Sequence, residues 1–374
     1  MGNENKIHSD RKKKILQVTR YAYPHIGGIE SVISQINAGL SNDEFDKEVL
    51  CCSNIDISSE ENDVKYTRCR FLFEFAANTI SPQFIWKLSK VNTDILHYHM
   101  PFIFAVIAHF IARPKYKKMV ITYHSDIVGY DKIMRFFWWI YKKFLKAADI
   151  IHVLSPQLVE NSFIKDFKEK TAIIPFSVDA NTHHDTMKAE EIRRKYSGKK
   201  ILFALGRHVK YKGFMYLLEA MKKVSGACLL LGGNGPLTQE FKEYIKDNNL
   251  GDKVILTGRI PDSELENYYE ACDIYVLPSI MQSEAFAVVQ LDAMKHSKPV
   301  INTWLGTGVN YVSINEKTGI TVQPENSDEL AQAINTLLND EQLRQTYGMN
   351  AKARVEELFL FEKIKEKYNN LYKI

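Results

Sequence analysis

Residues Lys199–Gly213 read KKILFALGRHVKYKG, in which an apolar run lies between two lysines and a cationic loop bounded by glycines. A short apolar run with turn residues after it is typical of a buried strand, here predicted over Ile201–Leu205. A helix is predicted to follow from about Phe214 to Val224. This order of strand, loop and helix is typical of parallel sheets that are covered by helices.

The same order occurs near the start of the chain. A strand is predicted over Ile15–Thr19, and a loop containing Gly27-Gly28 precedes a predicted helix from about Ile29 to Leu40. Further segments of strand character alternate with helical segments along both halves. They are predicted at 48–52, 95–98, 119–123, 150–154, 172–174, 227–231, 254–257, 274–277, 299–301 and 319–322.

We therefore predict an α/β fold of two Rossmann-like, doubly wound domains that face a central cleft. The polar stretch 178–197 lacks strand character and is predicted to contain the linker. The predicted domains are 1–180 and 181–355, and a helical segment at 356–374 is expected to pack back on the first domain. Ligands of such sheets bind outside the carboxyl ends of the strands, so the loops there should carry the chemistry.

Composition excludes several classes of protein. A chain of 374 residues with 45% apolar and 25% charged residues is not disordered, collagenous or disulfide-built. The net charge of +4 disfavours a nucleic-acid binder. Five cysteines without a CxxC pair indicate no zinc or disulfide framework. No signal peptide is recognised, and the apolar run 102–112 is about half of the roughly 20 residues that cross a bilayer. We expect a cytoplasmic protein that is soluble or peripheral.

Two loops could bind phosphate. Gly27-Gly28 opens a helix, where free N–H groups and a close backbone approach favour an anion, although such turns are often purely structural. Arg207 and Lys212 lie five positions apart in the loop after the strand at 201–205. A guanidinium fork and an ammonium suit a diphosphate, whereas the alternative is a solvated charged loop.

Two carboxylates lie in the segment after the strand at 274–277. Glu284 is predicted to start a helix, which places Asp292 roughly 12 Å further along it, too far away to act with Glu284 as an acid/base pair on one bond. That distance suits the two ends of a nucleotide sugar, with hexose at one carboxylate and ribose at the other. The alternatives are a favourable charge at a helix start for Glu284 and a surface position for Asp292.

Histidines occur at predicted strand ends, at His97, His99 and His124, and His124 is the strongest of these candidates because of its expected place at the cleft. Single histidines in such places are more often structural. No Asp-x-Asp occurs, so a metal-bridged diphosphate site has no support, and no metal or other cofactor is expected. The run Gly232–Gly235 lacks the remaining features of a dinucleotide fingerprint and is interpreted as a turn.

In combination, these segments resemble the retaining glycosyltransferases of family 4, which have the GT-B fold. The resemblance rests on Gly27-Gly28-Ile29-Glu30, on the loop 206–213 and on the segment 284–292. Two further segments, 123–128 (YHSDIV) and 301–308 (INTWLGTG), resemble bacterial mannosyl- and rhamnosyltransferase-like enzymes that build surface polysaccharides such as capsule or O-antigen. The resemblance extends over nearly the whole chain.

The resemblance implies roles for individual residues. Arg207 and Lys212 would hold the donor diphosphate, Glu284 would contact the donor sugar, and Asp292 would hold the ribose. His124 would lie near the reacting sugar. The remaining donor-binding positions it implies are Gly27, Gly28, Arg259, Ile260, Phe286, Ala287 and Val288.

Two positions depart from the family pattern, in which glutamate stands at 292 and glycine at 287. Asp292 is one methylene shorter than glutamate, which affects bidentate ribose binding. A methyl group at Ala287 would crowd the sugar and alter donor choice.

The segment 132–146 predicts a helix with a basic edge and a broad apolar, aromatic face, as interfacial binding to anionic lipid requires. Its basic residues are Lys132, Arg135, Lys142, Lys143 and Lys146. The alternative is a helix that is buried against the first sheet with a solvated basic edge. From Pro101 to Ile150, nine Lys or Arg against three Asp give +6, so the small net charge conceals a basic region in the first domain.

The expected function is transfer of a hexose from UDP- or GDP-hexose to a growing, lipid-linked cell-surface glycan, with retention and without a metal. The expected partners are the nucleotide sugar, the glycan acceptor and the inner face of the plasma membrane, with no nucleic acid. A nucleotide-sugar epimerase of the same two-domain plan is the enzymatic alternative. A two-domain solute-binding module is the alternative of another class, but it would predict an export signal and no cations for a diphosphate.

Overall fold

The protein is described by a computed structural model that covers residues 11–25, 27–75, 78–126 and 131–373, with the backbone alone at 131–136. It divides into two compact units. The first unit comprises Met1–Val153, Ser162–Ile174 and Lys365–Ile374, and the second comprises Leu154–Asn161 and Pro175–Ile364. The main change of unit therefore lies at 174/175, upstream of the expected 180/181. The expected linker region 178–197 counts with the second unit.

The first unit is built on an eight-stranded sheet in the order β10-β9-β8-β7-β1-β2-β4-β3. All neighbours are parallel except β3 and β4, and β5 and β6 form a separate antiparallel pair. The strands are β1 (Lys13–Val18), β2 (Phe45–Ser53), β3 (Ile57–Glu61), β4 (Val64–Arg70), β5 (Phe73–Phe75), β6 (Asn78–Ile80), β7 (Asn92–Met100), β8 (Lys115–Tyr123), β9 (Ile150–Val153) and β10 (Thr171–Ile173).

The second unit contains a six-stranded, fully parallel sheet in the order β13-β12-β11-β14-β15-β16. Counted within the unit, this is the order 3-2-1-4-5-6 of the Rossmann fold, and its central strands are buried because helices cover both faces. The strands are β11 (Lys200–Leu205), β12 (Ala227–Gly232), β13 (Val254–Gly258), β14 (Ile274–Leu277), β15 (Val300–Thr303) and β16 (Gly319–Val322).

Helices connect most of these strands, and several begin at side-chain caps that the sequence encodes. Ser81 accepts a hydrogen bond from the backbone N–H of Phe84 at 3.1 Å, with Pro82 at the first helical position. The helices are α1 (Gly28–Gly39), α2 (Pro82–Ser89), α3 (Ile103–Ala112), α4 (Asp131–Ala147), α5 (Pro156–Glu160), α6 (Thr186–Lys195), α7 (Phe214–Met221), α8 (Thr238–Asp247), α9 (Asp262–Ala271), α10 (Val289–Lys295), α11 (Gly308–Val312), α12 (Ser327–Asn339), α13 (Glu341–Leu358) and α14 (Phe361–Leu371).

The predicted α/β class with two Rossmann-like units is confirmed, and each predicted strand is present within a few residues of its predicted ends. The prediction missed β3, β4, β5 and β6. β3 reads ISSEE and β5 is exposed throughout, so neither has the apolar run of a buried strand. Among the described helices, none is long and apolar enough to span a membrane.

Candidate active site

The predicted Arg207 loop follows β11 and ends at Gly213, which the fold requires to be glycine. Gly213 has φ +67°, and a Cβ there would lie 1.9 Å from the carbonyl oxygen of Pro278. The N–H of Ile280 donates to the carbonyl of Tyr211 at 2.8 Å. The loop after β11 is therefore fixed against the segment that follows β14.

The Gly232–Gly235 run forms a turn that packs on the same loop. The N–H of Gly206 donates to the carbonyl of Gly232 at 3.1 Å, and that of His208 donates to Asn234 at 2.9 Å. A Cβ on Gly233, which has φ +110°, would lie 2.0 Å from the carbonyl oxygen of Gly206. These glycines permit a close approach of two backbones.

Lys212 and Glu284, which are 72 positions apart, form an ion pair at the carboxyl edge of this sheet. The Lys212 Nζ lies 2.5 Å from Glu284 Oε2, and the two side chains are 12% and 10% exposed. A buried carboxylate requires such a partner, because an unpaired buried charge is costly. Both residues are candidates on sequence grounds, but their contact was not predicted.

Glu284 is held by residues that the sequence analysis did not single out. Ser279 donates its hydroxyl to Oε2 at 2.9 Å, and the Thr307 hydroxyl donates to the backbone carbonyl of Glu284 at 2.8 Å. Both side-chain contacts fall on Oε2, and among the described residues no hydrogen bond reaches Oε1. Oε1 can therefore accept hydrogen bonds from the hydroxyl groups of a sugar. A serine and a threonine on distant loops carry no recognisable signal in the sequence.

The expected helix from Glu284 to Asp292 is wrong. Residues 283–288 are irregular, and α10 begins only at Val289, with Asp292 in its first turn. The cause is local, because Ala287 has φ +58°, which a helix cannot contain. The alanine that stands where the family has glycine thus adopts the left-handed conformation that glycine favours. Phe286 and Ala287 are buried, and Val288 is half-buried.

Asp292 has a partly exposed side chain, and the pKa of its carboxyl is raised. The surrounding protein desolvates its carboxyl, and this burial raises the pKa of Asp292 to about 6, although the Lys295 charge opposes the change. The Lys295 Nζ is 3.8 Å from Asp292 Oδ1 and 2.5 Å from Glu266 Oε1. Asp292 is therefore the weaker partner of Lys295 and keeps hydrogen-bonding capacity for a ligand.

Two predicted arginines border this edge with exposed side chains. Arg207 follows β11 and Arg259 follows β13, and within the described part of the chain neither guanidinium has a hydrogen bond or an ion pair. Ile260 beside Arg259 is buried against the Gly232 turn. The second unit thus places Arg207, Arg259, Lys212, Glu284 and Asp292 in loops or a first helical turn after parallel strands.

The remaining predicted residues lie in the first unit. Gly27 precedes α1 and Gly28 is its first residue, with an exposed backbone. Glu30 folds over this start, since its Oε2 would be 2.5 Å from a Cβ on Gly27, and its Oε1 is 3.1 Å from His25 Nδ1. A carboxylate therefore lies beside the α1 amides that were predicted to favour an anion.

His124 follows β8 and belongs to a buried polar chain. Its Nε2 lies 3.1 Å from His99 Nδ1, His99 Nε2 lies 3.0 Å from Gln17 Oε1, and Gln17 Nε2 donates to Asn37 at 2.6 Å. Because Gln17 Oε1 can only accept, His99 donates from Nε2 and, when neutral, accepts at Nδ1. His124 then donates from Nε2, which leaves its Nδ1 as a hydrogen-bond acceptor.

Burial keeps this chain neutral. It lowers the pKa of His124 to about 3, with a further contribution from His152, and it lowers the pKa of His99 well below its ordinary value. His124 is 6% exposed. It is therefore a neutral hydrogen-bond acceptor at physiological pH and does not supply an imidazolium proton. Of the predicted segment 123–128, Ile127 and Val128 lie outside the described residues.

A chain with two such Rossmann-like units and a charged site at the carboxyl edge of the second has the GT-B fold. Anabaena HepE in complex with UDP-glucose has a similar fold, with a TM-score of 0.74 and 20% identity over 96% of this chain and 99% of that one. The model of Glycosyltransferase Family 4 matches residues 26–182, and that of Glycosyl transferases group 1 matches 185–354.

Curated relatives agree with these matches. The O-antigen chain mannosyltransferase C of Escherichia coli is 31% identical over 368 residues, which cover 96% of this chain and 98% of the relative. The D-rhamnosyltransferase WbpZ of Pseudomonas aeruginosa is 29% identical over 348 residues, or 91% and 90% of the two chains. The chain belongs to the family 4 glycosyltransferases and is therefore a transferase.

Proposed function

We propose that this enzyme transfers a hexose from UDP- or GDP-hexose to a growing, lipid-linked cell-surface glycan, with retention of configuration and without a metal. The observation that carries the proposal is that the Lys212–Glu284 ion pair and Arg207, which has no partner among the described residues, follow strands at one sheet edge. Two cations suit a diphosphate and a carboxylate suits sugar hydroxyls. The name of the Escherichia coli relative, O-antigen chain mannosyltransferase C, supports a surface polysaccharide as product.

Each donor group has a proposed partner. Arg207 and Lys212 bind the diphosphate, Oε1 of Glu284 accepts sugar hydroxyls, and Asp292 accepts from the ribose. The Arg259-Ile260 turn borders the base, and the backbone around Phe286, Ala287 and Val288 faces sugar and phosphate. In the first unit, the Gly27-Gly28 backbone contacts the donor and Nδ1 of His124 accepts a hydroxyl of the reacting sugar.

The proposed chemistry needs no protein nucleophile. The bond between the anomeric carbon and the phosphate oxygen breaks, and the acceptor oxygen attacks from the same face, which retains the configuration. The departing phosphate oxygen takes the acceptor proton. Arg207 and Lys212 stabilise the charge that develops on the leaving diphosphate, which is the largest electrostatic demand of the step.

The test is donor consumption with and without an acceptor glycan of the O-antigen type, followed by NMR of the product. We expect UDP- or GDP-hexose to be consumed only with the acceptor, and the product to keep the donor's anomeric configuration. Interconversion of two nucleotide sugars without an acceptor would contradict transfer, and an inverted product would contradict retention.

We further propose that α4 contacts the anionic, cytoplasmic face of the membrane. One side of the helix is buried through Tyr141 and Phe144, as predicted by the alternative in which the helix packs against the first sheet. Trp139 is nevertheless 66% exposed, and Lys143 and Lys146 are exposed on the same helix. Exposed tryptophan beside lysines favours the interface of an anionic bilayer.

Two of the five proposed lipid-binding side chains, Lys132 and Arg135, lie outside the described side chains. Lys142 pairs with Asp166 at 2.8 Å, and this exposed pair can open at little cost. Replacing all five basic residues by glutamine should weaken sedimentation with anionic vesicles. The matched control replaces five exposed lysines of the second unit and should sediment like the wild type; equal binding of both variants would contradict the proposal. The control positions are Lys242, Lys246, Lys317, Lys352 and Lys363.

A further inference from the structure

A cluster of metal-binding side chains lies in the second unit among residues to which the proposed transfer assigns no role. His184 precedes α6, Glu270 is near the end of α9, and His296 directly follows α10. One potential ligand atom from each of the three lies within 4.8 Å of the others. The Nδ1 atom of His184 is buried and makes no hydrogen bond with any residue that the structure describes. Buried polar atoms without partners are rare in folded proteins, so this one requires an explanation.

His296 is oriented as a metal ligand would be. Its Nε2 lies 2.6 Å from Glu266 Oε2, and Glu266 is itself fixed by Lys295 at 2.5 Å. Its Nδ1 lies 2.9 Å from Glu270 Oε2. In proteins, a histidine that binds a metal through one ring nitrogen usually donates the N–H of the other to a carboxylate, which fixes the ring. Glu266 supplies that carboxylate.

We propose that His184, Glu270 and Nδ1 of His296 bind a Zn²⁺ ion, with water as the fourth ligand. Two imidazoles and one carboxylate are a donor set that zinc prefers, whereas Mg²⁺ prefers oxygen ligands alone. Bonds of about 2.0–2.1 Å in tetrahedral geometry place ligand atoms about 3.3 Å apart. The ligand atoms all lie within 4.8 Å of one another, so small rotations of the His184 and Glu270 side chains would bring them to this separation.

The ion would connect three parts of the second unit. His184 lies in the segment before α6, while Glu270 and His296 lie at the ends of α9 and α10. The ring of His296 packs on that of Tyr269 and its side chain is 1% exposed, so the ligand cannot swing away. The side chain of Glu270 is 32% exposed, which leaves a route for the ion from solvent. Zinc would thus stabilise the position of α10.

The experiment is calorimetric titration of the untagged, full-length chain with ZnCl₂ after treatment with a chelator. We expect one Zn²⁺ per chain, and Mg²⁺ should not compete. His184→Ala and Glu270→Gln should each weaken binding at least ~10-fold, since even loss of a partner such as Glu266 costs about 10- to 100-fold. Co²⁺ in place of Zn²⁺ should give the intense visible absorption of a four-coordinate site, which both variants should lose.

The control is His183→Ala, which removes the exposed histidine next to His184 and should leave zinc binding unchanged. Thermal unfolding in metal-free buffer checks that each variant folds. If His184→Ala does not fold, zinc binding by Glu270→Gln tests the proposal, because this substitution keeps the size of the side chain. Absence of stoichiometric binding to the wild type would overturn the proposal. Wild-type affinity in a folded His184→Ala or Glu270→Gln variant would also overturn it.

Discussion

The two units begin with the same order of strand, glycine loop and helix, yet the glycines before α1 and α7 serve different purposes. Gly213 before α7 is forced by φ +67° and by the Pro278 carbonyl, and its loop carries Arg207 and Lys212. Gly28 at the start of α1 has open space around it, and the Glu30 carboxylate lies beside the preceding Gly27. The first turn tolerates a side chain sterically, whereas the second does not.

This difference concerns charge as well as shape. In the second unit the loop is cationic, and one cation is already paired with Glu284. In the first unit the buried histidines near the ends of β7 and β8 are neutral, because burial lowers the pKa of His99 and of His124. We therefore propose that the turn of the second unit binds the diphosphate, whereas His124 of the first unit accepts a hydrogen bond from a neutral sugar hydroxyl.

The largest expected effect is on stability and separates the two turns. Gly213→Ala would place a methyl group within 1.9 Å of a carbonyl oxygen, so we expect destabilisation of about 4 kcal/mol or more, or no soluble protein. Gly28→Ala should leave the free energy of unfolding unchanged or raise it by up to about 1 kcal/mol, since alanine favours helix. Thermal unfolding of both variants decides this, and equal stability of the two would contradict the contrast.

The next effect is on catalysis. Lys212→Gln and Glu284→Gln should each lower kcat/KM by about 10²- to 10³-fold, as expected when a group that stabilises developing charge or positions the sugar is lost. Each also leaves a buried charge unpaired, so its unfolding midpoint should fall.

The double variant Lys212→Gln/Glu284→Gln separates these two causes. It removes both charges and should regain part of the lost stability, while activity stays low because both residues act on the donor. Recovery of activity together with stability would show that the pair is only structural.

A smaller effect should appear in the pH dependence of donor binding. Asp292 has a pKa raised to about 6, so its carboxylate is fully charged at pH 8 and becomes neutral as the pH falls through 6. If ribose hydroxyls donate to this carboxylate as proposed, donor affinity should decline below about pH 6, by roughly 10-fold when one such bond to a charged group is lost. Calorimetry of UDP-hexose or GDP-hexose binding from pH 5 to pH 8 measures this, since the diphosphate of a nucleotide sugar does not itself titrate in this range.

The control for that titration is Asp292→Asn, which cannot ionise. Its donor affinity should be low at all these pH values and nearly independent of pH. His124, whose pKa is lowered to about 3, should contribute no titration in this range. A wild-type affinity that is constant down to pH 5 would contradict the role of Asp292.

The smallest effect concerns Ala287. Its left-handed backbone costs alanine about 1–2 kcal/mol, and glycine would remove that cost while gaining freedom in the unfolded chain. Ala287→Gly should therefore raise stability by about 0.5–1 kcal/mol, or the unfolding midpoint by roughly 1 °C. A lower midpoint would show that this backbone is not strained. Relative kcat/KM for several nucleotide sugars tests whether the methyl group sets donor choice.

The strands of the parallel sheets could be predicted from the sequence because they are buried apolar runs, as at Ile201–Leu205. Such runs can be recognised without tertiary information. It did not suffice for β3 or β5, whose exposed residues follow no apolar pattern. The helix expected at Glu284 failed because a single positive φ at Ala287 interrupts it, and an alanine gives no warning of that conformation.

For the candidate site, residue types and loop positions could be predicted, but not contacts between distant residues. Lys212 and Glu284 are 72 positions apart, and Gln17 and His99 are 82 apart, so only the folded chain shows that each pair is joined. The tautomer of His124 likewise follows from the contact between His99 and Gln17. The support of Glu284 by Ser279 was likewise invisible, because serine occurs in many loops.

The central claim is that the loop after β11 binds the donor diphosphate, and calorimetric binding of UDP and GDP to Arg207→Gln tests it most directly. The matched control is Lys210→Gln, which removes an exposed cation from the same loop. We predict that the wild type and Lys210→Gln bind one of the two nucleotides with equal Kd, and that Arg207→Gln binds it about 10- to 100-fold more weakly. Equal affinity of Arg207→Gln and the wild type would contradict the account.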